Sequence, residues 1–89
     1  MKFALGRLFA TPSAILAAKN ANDNLIGYLK RHAAGDWGDV SNEDKRANMK
    51  ALKEGSRLLS AYYLKDGTKI CIVTEADRST TIVLVPAEY

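Results

Sequence analysis

The stretch Leu58-Leu59-Ser60-Ala61-Tyr62-Tyr63-Leu64-Lys65-Asp66-Gly67-Thr68-Lys69-Ile70-Cys71-Ile72-Val73-Thr74 decides the fold. Its two flanks are rich in Ile, Val, Leu and Tyr and meet at a turn signal, the composition of paired strands. Asp-Gly is a favoured pair for a tight hairpin turn. A turn centred on Asp66-Gly67 predicts that Tyr63 opposes Ile70, Ala61 opposes Ile72 and Leu59 opposes Thr74. Ser79 to Val85 is a third strand-like run, reached through Glu75-Ala76-Asp77-Arg78. A tight turn there predicts Ser79 opposite Thr74, Thr81 opposite Ile72 and Val83 opposite Ile70. One face of this meander then carries Leu59, Ala61, Tyr63, Ile70, Ile72, Val83 and Val85, and is expected to lie under the helices. The other carries Ser60, Tyr62, Lys69, Cys71, Thr80, Ile82 and Leu84. That second face is too apolar for full solvation, so a cover is expected over part of it, with a second copy of the chain as the candidate. Pro86 ends the ladder because it has no N–H to donate.

Upstream the pattern is helical. Thr11-Pro12 is an entry signal, a hydroxyl cap followed by Pro at the first helical position. Asn20-Ala21-Asn22-Asp23-Asn24 breaks that helix, and Asn22 or Asp23 is expected to cap the next. Leu25, Ile26, Leu29 and Ala33 give the second helix one buried face. Gly35 stops it after the cationic last turn Lys30-Arg31-His32. Ser41 with Asp44 predicts the start of a third helix, running from about Asn42 to Gly55 or Leu58. Met49 and Leu52, continued by Ser56 and Leu59, make only a narrow apolar stripe, so this helix is expected on the outside. At the N-terminus Phe3, Leu5, Arg7 and Phe9 alternate with Lys2, Ala4, Gly6 and Leu8, which predicts a short strand. Gly6-Arg7 interrupts the apolar stretch, so no secretory core forms; the first acid is Asp23, which leaves a basic transit peptide as the competing reading.

The order is a short N-terminal strand, two to three helices, then a three-stranded antiparallel meander. Segregated strands and helices indicate α+β, with helices on one sheet face and the N-terminal strand available as a fourth strand at one edge. The 89 residues allow a single domain, 1–89. Hydrophobic residues at 47% and charged residues at 26% exclude disorder and a collagen-like repeat. No apolar run approaches the ~20 residues of a membrane span, so no membrane partner is expected. The single Cys excludes an internal disulfide and fits a reducing, cytoplasmic compartment.

No metal site and no cofactor are expected. Cys71 and His32 lack ligand-pair spacing, and no phosphate-binding Gly loop or nucleophile elbow is present. Cys71 reads as a small buried hydrophobe. His32 is the best single acid–base residue, because imidazole titrates near neutrality; its plainer reading is a helix C-terminal His stabilised by the dipole and bonded to Asp36. Trp37, flanked by Gly35-Asp36 and Gly38-Asp39, reads either as a stacking or interface residue or as a core plug with local turn bonds from the Asp residues. Arg46, Lys50, Lys53 and Arg57 recur at helical spacing and predict a basic ridge that can follow phosphates or an acidic partner. Glu43 and Glu54 are in reach to neutralise Arg46 and Lys50, the reading of an ordinary solvated face. Glu75, Asp77 and Arg78 gather at one hairpin end, as a small polar site or as a local turn network.

Three segments carry a resemblance: His32-Ala33-Ala34-Gly35-Asp36-Trp37-Gly38, Ala51-Leu52-Lys53-Glu54-Gly55 with Leu59-Ser60-Ala61-Tyr62, and Val73-Thr74-Glu75-Ala76-Asp77-Arg78-Ser79 with the ending Leu84-Val85-Pro86-Ala87-Glu88-Tyr89. Together they resemble a family of small plasmid-related proteins of proteobacterial plasmids and integrated elements, some labelled restriction–modification subunits. The resemblance implies a mobile-element context and assigns no catalytic residues; a methyltransferase label does not suit a chain with no room for a cofactor-binding domain. The leading expectation is therefore a non-catalytic binding protein acting on a protein partner, in defence evasion or plasmid maintenance. The first alternative is a toxin-type ribonuclease, whose acid–base pair and phosphate cation would have to be His32, Glu75 and Arg57 or Arg78. The second is a nucleic-acid-binding accessory factor using the basic ridge.

Overall fold

The computed structural model describes residues 1–89. The chain runs β1 (Arg7–Ala10), α1 (Pro12–Asn20), α2 (Leu25–Ala33), α3 (Asn42–Glu54), β2 (Leu58–Tyr63), β3 (Lys69–Thr74), β4 (Thr80–Leu84) and a closing 3₁₀ turn at Pro86–Glu88. The strands form one sheet in the order β1-β4-β3-β2, antiparallel except that β1 joins β4 in parallel. The α+β architecture is the expected one, with β1 as the fourth strand. It is shorter than the alternation at the N-terminus suggests: only Arg7 to Ala10 pair, and Phe3 instead packs against His32 and Trp37.

Local chemistry sets the helix ends. Thr11 Oγ1 accepts from Ala14 N (3.1 Å), with Pro12 at the first helical position. Asn24, and neither Asn22 nor Asp23, caps α2 by accepting from Ile26 N (2.9 Å). Asp23 is committed elsewhere: its carboxylate accepts from Tyr28 OH (2.7 Å), Asn24 N (2.8 Å) and Lys65 N (3.0 Å), joining the start of α2 to the β2–β3 turn. Ser41 caps α3 through Asp44 N (3.0 Å), and Gly55 ends it in the left-handed region. The buried face of α3 is Asn48 and Ala51, and Met49 is exposed. The expected stripe is displaced because α3 lies along the outer edge of β2 instead of over the sheet face.

The hairpin register corrects the sequence reading. Leu64 N donates to Thr68 O (2.8 Å) and Gly67 N to Leu64 O (2.9 Å), with Gly67 at φ +88. The loop is therefore Lys65-Asp66-Gly67, a three-residue turn whose last residue is left-handed. The extra residue moves β2 by one, so Tyr63 opposes Lys69, Tyr62 opposes Ile70 and Ser60 opposes Ile72. A one-residue slip sends every side chain of the strand to the other face. Ser60, Tyr62 and Leu64 consequently lie with Ile70, Ile72 and Val83 beneath α1 and α2, while Leu59, Ala61 and Tyr63 lie on the far face. Between β3 and β4 the shift is two residues, Thr74 opposing Thr81 and Ile72 opposing Val83, so the faces survive. Arg78, left-handed at φ +61, and Asp77, which accepts from Ser79 N (3.0 Å), draw that turn one residue further along the chain.

The main core joins Ala14 and Ala21 to Tyr62, Leu64, Ile70, Ile72 and Val83. Each fully buried Ile or Leu here contributes about 1.5–3 kcal/mol. On the far face Ala61, Cys71, Val73 and Leu84 are buried within the single chain, with Val40, Leu59 and Ile82 packed on them and the 3₁₀ turn folded back against β3. The chain itself thus covers part of this face, while Leu59 and Ile82 stay partly exposed.

Candidate functional site

His32, at the end of α2, is 0% exposed. Its Nε2 lies 2.8 Å from Thr74 Oγ1 and its Nδ1 2.5 Å from Ser60 Oγ; Thr74 Oγ1 lies 2.7 Å from Thr81 Oγ1. Thr81 donates to the Leu5 carbonyl (2.7 Å). A carbonyl only accepts, and with the imidazole neutral that sets every proton in the chain. Thr81 spends its hydrogen on Leu5, so Thr74 donates to Thr81, His32 Nε2–H donates to Thr74, and Ser60 donates to Nδ1. The imidazole is neutral and fully bonded, edge-on to Phe3 and Trp37. Burial pushes its pKa down to about 4. The bond to Asp36 is absent from this set; Asp36 pairs with Arg31 (2.7 Å), which holds its carboxyl below the usual range.

The three residues of the nuclease hypothesis do not meet. Thr74 and His32 belong to the helix side of the sheet. Arg57 and Glu75 pair with each other (3.3 Å) beside Val73, Ile82 and Leu84, on the far side. Arg57 also lies beyond α3, which ends at Glu54, so the basic ridge on the helix is Arg46, Lys50 and Lys53. These three are exposed, and none is ion-paired with Glu43 or Glu54.

Arg78 is a clamp. Its Nη1 donates to Ser56 O (2.6 Å), Glu75 O (3.1 Å) and Ala76 O (3.1 Å), and Nη2 donates to Ala51 O (3.0 Å). The guanidinium thereby satisfies carbonyls at the α3 C-terminus and in its own turn, over the Phe3 ring. Asp77 serves the same turn. Trp37 is 5% exposed and stacks on Phe3, so its ring is not presented for a ligand or partner. Cys71 is buried, and burial raises its thiol pKa.

The segment around Trp37 has a different task, at the edge of the sheet. Ala61 N donates to Trp37 O (3.1 Å) and accepts, through its carbonyl, from Asp39 N (2.7 Å). Gly38 sits between them at φ +71, where a Cβ would overlap the Ala61 carbonyl. Asn48 does the same for Leu59: Oδ1 accepts from Leu59 N (3.1 Å) and Nδ2 donates to Leu59 O (2.7 Å). Tyr28 OH reaches Tyr63 O (3.3 Å). The outer edge of β2 is therefore closed at Leu59 and Ala61.

The β1 edge is open. Arg7 N and Thr11 N donate to Ser79 O and Val83 O of the β4 side (both 2.9 Å). In a parallel ladder alternate residues face alternate neighbours, so Leu8 and Ala10 turn their N–H and C=O outward. No loop, cap or side chain bonds to them. Beside this edge, Met1, Leu5, Leu8, Ile26, Leu29, Ala33 and Ala34 line an apolar groove of about 310 Å³ with Lys30 at its rim. Leu8 and Ile26 are 53% and 57% exposed. Comparison with protein-family models, curated proteins and solved structures finds no match to this chain. The groove was not legible as a site in the sequence. Its signal is the apolar arc of α2, which includes Ile26 in addition to Leu25, Leu29 and Ala33, more than one packed face uses.

Proposed function

We propose that the protein is a small non-catalytic binding protein of a mobile genetic element, acting through protein–protein contact in defence evasion or plasmid maintenance. The observation that carries this reading is the apolar groove beside the unpaired edge of β1, in a sheet whose other edge is closed. An exposed, apolar strand edge invites pairing with another chain, and natural sheets protect such edges unless they are used. The sealed His32 and its separation from Arg57 and Glu75 weigh against the ribonuclease alternative.

The test sets Leu8→Asp against His32→Gln. Leu8 is exposed, so its charged replacement leaves the core intact. Partner recovery by in vivo cross-linking, and any growth or plasmid-stability effect of the protein, are expected to be lost with Leu8→Asp and kept with His32→Gln at neutral pH. RNA cleavage that His32→Gln abolishes, with Leu8→Asp silent, overturns the proposal. A second reading, a nucleic-acid accessory factor, is favoured by one observation: Arg46, Lys50 and Lys53 project from α3 free of ion pairs.

A further inference from the structure

We infer that β1 pairs antiparallel with β1 of a second copy of this chain, about a two-fold axis at Phe9, joining the two four-stranded sheets into one. This rests on the reading of the β1 edge as a protein contact and names what meets it.

The backbone allows one register. In an antiparallel ladder, residues that turn both N–H and C=O outward form the hydrogen-bonded pairs. On β1 these are Leu8 and Ala10. An axis at Leu8 would pair Ala10 with residue 6, and Gly6 at φ +67 has left the extended conformation. An axis at Ala10 would pair Leu8 with Pro12, which has no N–H. With the axis at Phe9, Leu8 of each copy meets Ala10 of the other, and both outward residues are used twice. A two-fold contact must be complementary to itself, and this edge meets that condition.

Side chains suit the same register. Leu8 and Ala10 lie on the helix side, while Arg7 and Phe9 lie on the far face with Thr80 and Ile82. Phe9, 45% exposed, comes opposite its own counterpart in a non-hydrogen-bonded pair, the kind whose side chains approach more closely. Leu8, 53% exposed, comes opposite the small Ala10, at the side of the apolar groove. The seam thereby covers two large apolar side chains that the single chain leaves half in water.

Charge selects the same occupant. Arg7 lies over the Phe9 ring and takes part in none of the ion pairs of the molecule. Opposite it in this register stands Thr11 of the other copy, whose Oγ1 donates to Glu88 Oε1 (2.8 Å). Glu88 is exposed and equally free of ion pairs. The symmetry therefore sets Arg7 of each copy beside Glu88 of the other. The two Arg7 residues stay four positions apart along the seam, about 13 Å, beyond the screening length of ~10 Å at 0.1 M salt.

The test is sedimentation equilibrium of the full chain from about 10 μM to 1 mM, with the Leu8 and Ala10 amide shifts followed over the same range. A monomer–dimer equilibrium that moves these amides is expected. Arg7→Glu and Glu88→Arg, each alone, set like charges together twice and are expected to weaken the dimer by about fivefold or more. Mixing R7E with E88R restores two opposite pairs and is expected to recover the dimer, whereas damage to either chain's own fold would not be cured by mixing. A monomer throughout the range overturns the inference. So does a dimer indifferent to Leu8→Asp, or a mixture that fails to recover. A monomer whose in vivo cross-link to another protein is lost with Leu8→Asp overturns the second copy and leaves the protein-contact reading standing. Cross-links to the chain itself alone, lost with Leu8→Asp, uphold the inference and overturn the reading of a protein that acts on a different partner.

Discussion

His32 shows how one side chain changes meaning between sequence and structure. In the sequence its neighbours are Arg31 and the Asp36 loop, and a solvent-facing imidazole with a carboxylate partner is the natural expectation. In the folded chain its partners are Ser60 and Thr74, 28 and 42 residues away. A neutral imidazole suits this enclosure, because both ring nitrogens are satisfied by hydroxyls and a cation would have no counter-charge. Its pKa falls from 6.5 to about 4. The unfolded chain takes up the proton first, so this contribution to stability is complete above pH 6.5 and is lost as pH falls toward 4, by about 3 kcal/mol in all. Urea midpoints measured from pH 7.5 down to pH 4 are expected to decline across that window in the wild type. In His32→Gln the decline should flatten, although the variant is less stable at neutral pH. A decline of the same size in the variant would assign the acid sensitivity to other groups.

Among the elements, β2 carries the largest correction. Leu59, Ala61 and Tyr63 alternate with Leu58, Ser60, Tyr62 and Leu64, and either set passes as an inward face. Asp-Gly also suits a turn of two or three residues, since both place Gly in the left-handed region. What breaks the tie is Ser60, which looks solvent-facing until His32 is found opposite it. The edge of β2 is equally invisible along the chain, because Asn48 meets Leu59 from a helix whose charged sequence announces only exposure. Asn48 is buried and makes both bonds of a missing strand. Asn48→Asp keeps an acceptor for Leu59 N but loses the donor to Leu59 O and buries a carboxylate. It is expected to lower unfolding free energy by about 2 kcal/mol or more, and Asn48→Ala by about 1–3 kcal/mol. Denaturant titration at pH 7 measures both. Losses below about 0.5 kcal/mol would show that water replaces the amide at this edge.

At the scale of the molecule, the net charge of +3 resolves into separate zones. Lys30 lines the groove, Arg7 lies over Phe9 on the opposite face of β1, and Arg46, Lys50 and Lys53 line α3. The Arg57–Glu75, Arg31–Asp36 and Lys69–Asp39 pairs are neutralised locally. If α3 follows phosphates, retention on duplex DNA or RNA at low salt should weaken with a log–log slope of about −2 to −3, one increment per cation. Lys50→Glu with Lys53→Glu should remove most of that slope. No retention at low salt, or a flat salt response, would discard the nucleic-acid reading. No helix is long and apolar enough to cross a membrane.

The sequence by itself determined the α+β class, the element order, the Thr11 and Ser41 caps and the stop at Gly35. Each of these depends on residues within a few positions of one another, where hydroxyl caps, left-handed glycines and periodicity act without help from the rest of the chain. Tertiary structure alone decided the β2 register, the enclosure of His32, the closure of one sheet edge by Asn48 and the Trp37–Asp39 segment, and the exposure of the other beside α2. Those outcomes turn on groups tens of residues apart competing for the same hydrogen bonds and the same apolar surface, a contest settled only when the sheet and helices pack together.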